Sequence, residues 1–210
     1  MLGFIDPLYL IVVALPALAL SGAATLFTKS TFKRYARVAS RNGLTGAQAA
    51  QQMLRHQGVA NVAIKQTNGF LSDHYNPSDR TLNLSPHVYG SNSLAAIGIA
   101  CHEAGHAVQH ARRYAFLSLR STLVPATQIG TNMAYPLILL GFFLSPKLIL
   151  LGALLFSLAV LFSIVTLPVE WNATQRAKAV MVKAGIVSQQ EASAAGSVLN
   201  AAFLTYVAAA

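Results

Sequence analysis

Long apolar runs separated by one mixed, partly alternating stretch organise this chain. Leu8 to Phe27 is nearly continuous apolar sequence, with a kink expected at Pro16. It is about long enough to cross a bilayer. The residues ahead of it contain no Lys or Arg and include Asp6. A cleaved secretory signal starts basic, so an uncleaved anchor is expected, although an Ala-Leu-Ala run near Leu18 leaves cleavage open. Ala126 to Leu144, with a kink expected at Pro136, and Leu148 to Leu167 are further apolar runs, joined tightly by Ser145-Pro146-Lys147. Two runs joined this briefly read as a transmembrane hairpin, with a buried soluble hairpin as the alternative. Pro168 is expected to end the third run, and Val198 to Ala210 forms an apolar tail. That tail is too short to span alone. It suits the membrane interface or the start of a truncated fourth span.

Between the first and second runs the period changes. Thr45-Gly46-Ala47-Gln48 is a capping box opening a helix whose apolar face is Ala49, Ala50, Met53 and Leu54, ended by Gly58. Asn61 to Gln66 alternates, as does Arg80 to Leu84, and Asn76-Pro77-Ser78-Asp79 lies between them as a turn. This predicts a small antiparallel sheet. Ser85-Pro86-His87-Val88-Tyr89 starts a helical turn, and a longer helix is expected from about Ser93 to Tyr114. After the third run, Asn172 could cap a helix to Gly185, and Ser188-Gln189-Gln190-Glu191 is a second capping box.

Composition agrees with a membrane protein: 54% of residues are apolar and 10% charged. The net charge of +9 could suggest nucleic acid. However, no basic face interleaved with aromatics and no Gly-rich phosphate loop is present, so nucleic acid is not an expected partner. Lys29, Lys33, Arg34, Arg37 and Arg41 crowd after the first run, and the positive-inside rule places that side in the cytoplasm. The lone Cys101 rules out an intramolecular disulfide framework and reads as a buried small residue.

The chemistry concentrates in His102-Glu103-Ala104-Gly105-His106, an H-E-x-x-H motif. Residues four apart share a helix face, so both imidazoles can grip one metal ion. Glu103 lies beside that ion without binding it, placed to take a proton from a metal-bound water. The pattern reads as a zinc hydrolase site wanting a third ligand. A third His six residues after the second would mark a metzincin, but Arg112 stands there. His110 is about 12 Å along the helix from His102, too far to share the metal. Asp73, Asp79, Glu191 and Glu170 remain. Glu170 is best placed, because two apolar runs return the chain to the same membrane face. An oxyanion donor is also needed, and His74, Tyr75 and Arg176 are candidates.

The stretches Gly69-Phe70-Leu71-Ser72-Asp73-His74-Tyr75-Asn76-Pro77, Leu82-Asn83-Leu84-Ser85-Pro86, His102 to His110 and Leu167-Pro168-Val169-Glu170-Trp171-Asn172-Ala173 resemble the YugP-type neutral zinc metallopeptidases of bacterial membranes. The likeness spans essentially the whole chain, including Gln128-Ile129-Gly130. It is similar, more distantly, to HtpX-type and CAAX-prenyl-protease-type gluzincins. The resemblance implies Glu170 as third ligand beside His102 and His106, with Zn2+ as cofactor. Two positions depart from these patterns: Asn172 stands where the family has an acid, and Thr174 where the HtpX type has an Asp. The family also runs on past the apolar tail, which implies truncation at Ala210.

The expected fold is a mainly α membrane protein carrying a small gluzincin-like α+β zinc-peptidase domain. Expected divisions are an anchor (1–28), a cytoplasmic peptidase region (29–125), a transmembrane hairpin (126–168) and a helical region with the third ligand (169–210). The expected activity is zinc-dependent hydrolysis of peptide bonds at the cytoplasmic membrane surface, with Glu103 as general base. Partners are a protein or peptide substrate and the lipid bilayer, with room for a regulatory membrane partner and no oligomeric state indicated. The alternative is a membrane scaffold whose zinc site is structural, closed by Asp73 or His74 as a fourth ligand.

Overall fold

A computed structural model describes Leu8 and residues 10–69 and 72–210. The readings attached to Asp6, Phe70 and Leu71 lie outside the described residues. A π-helical stretch, Leu10–Ala14, leads into α1 (Leu15–Tyr35), with Pro16 in its first turn. Then follow α2 (Gly46–His56), β1 (Ala63–Gln66), β2 (His74–Asn76), β3 (Thr81–Leu84), α3 (Pro86–Tyr89), α4 (Leu94–Ala111), α5 (Ala115–Phe143), α6 (Pro146–Lys183) and α7 (Gln189–Ala209). The protein is mainly helical, with one small sheet. The chain forms two compact units, one holding residues up to Val108 with Asn172–Ala209, the other Gln109–Trp171.

In the first unit, the capping box opens α2 as its residues dictate: Gln48 N–H donates to Thr45 Oγ1, and Thr45 N–H donates to Gln48 Oε1. Ala49, Ala50, Met53 and Leu54 are buried, and Gly58 takes a positive φ just past the helix end. They join a core with Leu82 and Leu84 of β3, Ile97, Cys101 and Val108 of α4, Met181 of α6, and Leu199 of α7. The sheet order is β1-β3-β2. β3 pairs antiparallel with β2 but parallel with β1, so the sheet is mixed and not the antiparallel one expected. The chain leaves β1, passes the central slot, forms β2 at the far edge, and turns back through Pro77 to Arg80 to fill that slot as β3. The alternation pattern fixes faces, not partners, and so could not distinguish these routes. α7 runs antiparallel along α1, with Ser21 Oγ donating to Ala208 O and Thr28 Oγ1 to Ala201 O.

In the second unit, α5 and the first part of α6 form the hairpin. Their backbones come close: a Cβ on Gly152 would lie 2.8 Å from Ala134 O. Only glycine permits that approach. The Arg120 guanidinium lies over the Phe162 ring, 5.6 Å from its centre.

Among the described residues, three helical stretches are long and apolar enough to cross a membrane: Ile11–Tyr35, α6 and α7. α5 is not one of them. It is longer than expected, but Gln128, Thr131 and Asn132 interrupt the run read as a second span. α7 qualifies where the tail alone looked too short, because the helix starts nine residues earlier, at Gln189. A further correction concerns Pro168. It does not end a helix, and Asn172 does not cap a new one, since α6 continues through both to Lys183. Beside the proline, Gln109 Nε2 donates to Val169 O at 2.8 Å and Tyr114 Oη donates to Pro168 O at 3.4 Å, which ties this turn of α6 to the end of α4 and the residues that follow it.

Candidate metal centre and active site

α4 forms because Ser93 caps it, its hydroxyl accepting from Ala96 N–H, and because small apolar residues fill its buried side. His102 and His106 fall one turn apart on this helix, rings edge-to-face at 4.8 Å. α6 passes directly against it. A Cβ on Gly105 would lie 2.9 Å from Ala173 O, so the glycine is what lets α6 lie this close. Thr174 Oγ1 lies 3.3 Å from His102 Nδ1. Glu170 precedes Thr174 by four residues on α6 and so shares its face.

One ligand atom from each of His102, His106 and Glu170 lies within 4.8 Å of the others. Two imidazole nitrogens and a carboxylate oxygen are the donor set of a catalytic zinc. Glu170 is 2% exposed, and its carboxylate adds an anionic oxygen donor to the two imidazoles. The residues therefore fit the metal that the motif implies. Were His102 to hold a metal through its other ring nitrogen, its Nδ1–H would be the donor to Thr174 Oγ1.

Glu103 is half-buried and points to the sheet, where its Oε2 accepts from the backbone N–H of Tyr75 at 3.2 Å. In an antiparallel pair, alternate residues turn their backbone groups away from the partner. Tyr75 is such a residue on β2, an edge strand, so the carboxylate sits at the open side of the sheet. Burial raises the Tyr75 hydroxyl pKa, partly offset by the Arg80 cation. Burial also pushes the Cys101 thiol well above its usual range, as suits an inert core residue.

The other acids weighed as third ligands are occupied locally. Asp73 accepts from Ser85 N–H and Ser85 Oγ, tying the start of β2 to the end of β3. Asp79 accepts from Thr81 Oγ1 and Thr81 N–H, which holds its pKa below the ordinary carboxylate value. Glu191 accepts from Ser188 and from Arg41 N–H. Among the described residues, neither His74 nor Arg176 hydrogen-bonds to this cluster. His74 Nδ1 donates to Ser72 O, and its Nε2 meets Asn83 Nδ2 at 3.2 Å. Arg176 Nε donates to Asn172 Oδ1 at 2.7 Å. Sequence reasoning named Thr174 only as a departure from a related pattern, and the structure places its hydroxyl beside His102. The Tyr75 N–H was missed as a neighbour of the motif.

Two histidines one turn apart, a carboxylate from a later apolar helix and an acid beside the first histidine are a set that could serve a zinc peptidase. Residues 10–210 match the family described as "Putative neutral zinc metallopeptidase", and the chain belongs to it. Among curated proteins it is similar to "Putative membrane protease YugP" of Bacillus subtilis (strain 168), 43% identical over 202 residues, which cover 95% of this chain and 89% of that protein. No solved structure matches.

Proposed function

We propose that this protein is a membrane-bound endopeptidase that hydrolyses peptide bonds near the cytoplasmic membrane surface, with Glu103 as its general base. The observation that carries this reading is the position of the Glu103 carboxylate, next to a metal ligand and against the open edge of β2. His102, His106 and Glu170 would hold zinc, which when bound would supply a Lewis acid able to acidify water and polarise a carbonyl. A substrate strand adds to the β2 edge, where main-chain hydrogen bonds align it. Glu103 then exchanges its bond to Tyr75 for one to the attacking water, takes the proton, and delivers it to the leaving amine. The tetrahedral oxyanion needs a donor. Arg176 supplies it in this reading, since its terminal amino groups bond to no described residue. His74 would have to release Asn83 before it could donate. Asp73 and His74, the fourth ligands a structural site would use, are engaged elsewhere, which favours catalysis over a scaffold.

Two variants test the reading in purified full-length protein. Glu103→Gln is expected to retain zinc by metal analysis and lose casein cleavage by at least about a hundredfold. Undiminished cleavage rejects Glu103 as base. Glu170→Ala is expected to lose zinc, and an unchanged metal content rejects it as a ligand.

A further inference from the structure

The sheet has a second open edge, on the side opposite β2. β1 is bonded only to β3, with Ala63 N–H donating to Arg80 O and, just past the strand, Thr67 N–H donating to Leu84 O. In a parallel ladder, alternate residues bond to the same neighbour. Ala63 and Lys65 therefore face β3, while the N–H and C=O of Ile64 face outward and pair with nothing among the described residues. An unpaired edge invites another strand unless something covers it. Here a groove of about 560 Å³ lies alongside, between β1 and α2, lined by Gln48, Gln51, Arg55, Val62, Ile64 and Tyr89, among others. Arg55 is the one charged side chain in that lining, and no acidic group answers it there.

We propose that this groove docks an extended acidic peptide, which joins β1 as a fourth strand. The Ile64 backbone supplies the pairing. Val62 and Ile64 take alternate apolar side chains, and Arg55 takes a carboxylate two positions along. The site lies at the β1 edge, away from Glu103, and does not depend on zinc or hydrolysis.

The test uses full-length Glu103→Gln protein in detergent micelles, so that no probe is cleaved. The probes are a ten-residue fluorescein-labelled peptide of alternating Val and Thr carrying two Glu, and its counterpart with Lys replacing Glu. Fluorescence anisotropy is expected to show the Glu peptide binding at least about fivefold tighter. Arg55→Glu should reverse that preference. Ile64→Pro should abolish binding of both peptides, because proline there removes a donor facing away from β3 and leaves the ladder intact. Circular dichroism checks that this variant folds, and if it does not, Arg55→Glu decides alone. Failure of both peptides to bind, or a preference unaffected by Arg55→Glu, overturns the proposal. So does full-strength binding by folded Ile64→Pro, which would place the peptide on the β2 edge instead.

Discussion

Thr174 is 1% exposed, and its hydroxyl oxygen faces His102 Nδ1. A neutral hydroxyl orients the imidazole without adding the negative charge that a carboxylate would bring to the same place. Thr174→Val keeps the shape and deletes the acceptor. It is expected to weaken zinc affinity about 10-fold to 100-fold in a competition titration with a chelator, with the fold intact by circular dichroism. An unchanged affinity would show that packing alone sets the ring. At this scale the sequence was most legible where chemistry is local. The spacing of His102 and His106 states its own geometry, and Glu103 follows directly. Spacing made Glu170 only the best placed of several acids, and the family resemblance singled it out, because carboxylates look alike in sequence. Asp73 and Asp79 are held by hydroxyl and amide donors, those of Ser85 and Thr81, which a folded chain brings to them.

Elements were legible where a period or a cap is strong. α2 carries its start signal, its buried stripe and its terminating glycine in one short run. Failures came where long-range contacts overrule local rules. Pro168 reads as a helix stop, yet α6 runs on through it, in a turn whose carbonyls also accept from side chains 54 and 60 positions away in the chain. The parallel pairing of β1 was likewise invisible, since it depends on where β3 inserts. The crossing of α4 and α6 is the element contact on which the metal group depends, and Gly105 is its narrowest point. Gly105→Ala adds a methyl 2.9 Å from the Ala173 carbonyl oxygen, so one helix must shift. Overpacking of this kind costs about 1–3 kcal/mol. The expected result is a lowered thermal midpoint together with reduced zinc occupancy. A variant with unchanged occupancy would mean that the contact can relax without moving the ligands.

For the whole molecule, sidedness follows from charge and helix direction taken together. The chain carries 15 Lys and Arg against six acids, and five of those cations, Lys29 to Arg41, follow the first apolar run. α7 lies antiparallel to α1, so the start of α7 meets the basic end of α1. There Arg41 N–H donates to Glu191 at 2.7 Å, and its guanidinium donates to Gln190 at 2.8 Å. Both helices thus present the same end to the sheet-bearing part of their unit, and the cytoplasmic side proposed above is the one that the positive-inside rule expects for that end. The prediction is read by cysteine labelling. Cys101 is first replaced by Ala, which adds no polar atom to the buried position and breaks no disulfide. Ser78→Cys then places a thiol on the exposed turn between β2 and β3. A membrane-impermeant maleimide is expected to leave it unmodified in intact cells and to modify it after permeabilisation. Labelling in intact cells would put the sheet outside. The peptide bonds within reach of Glu103 would then be those of exported proteins, and the basic cluster would need another role.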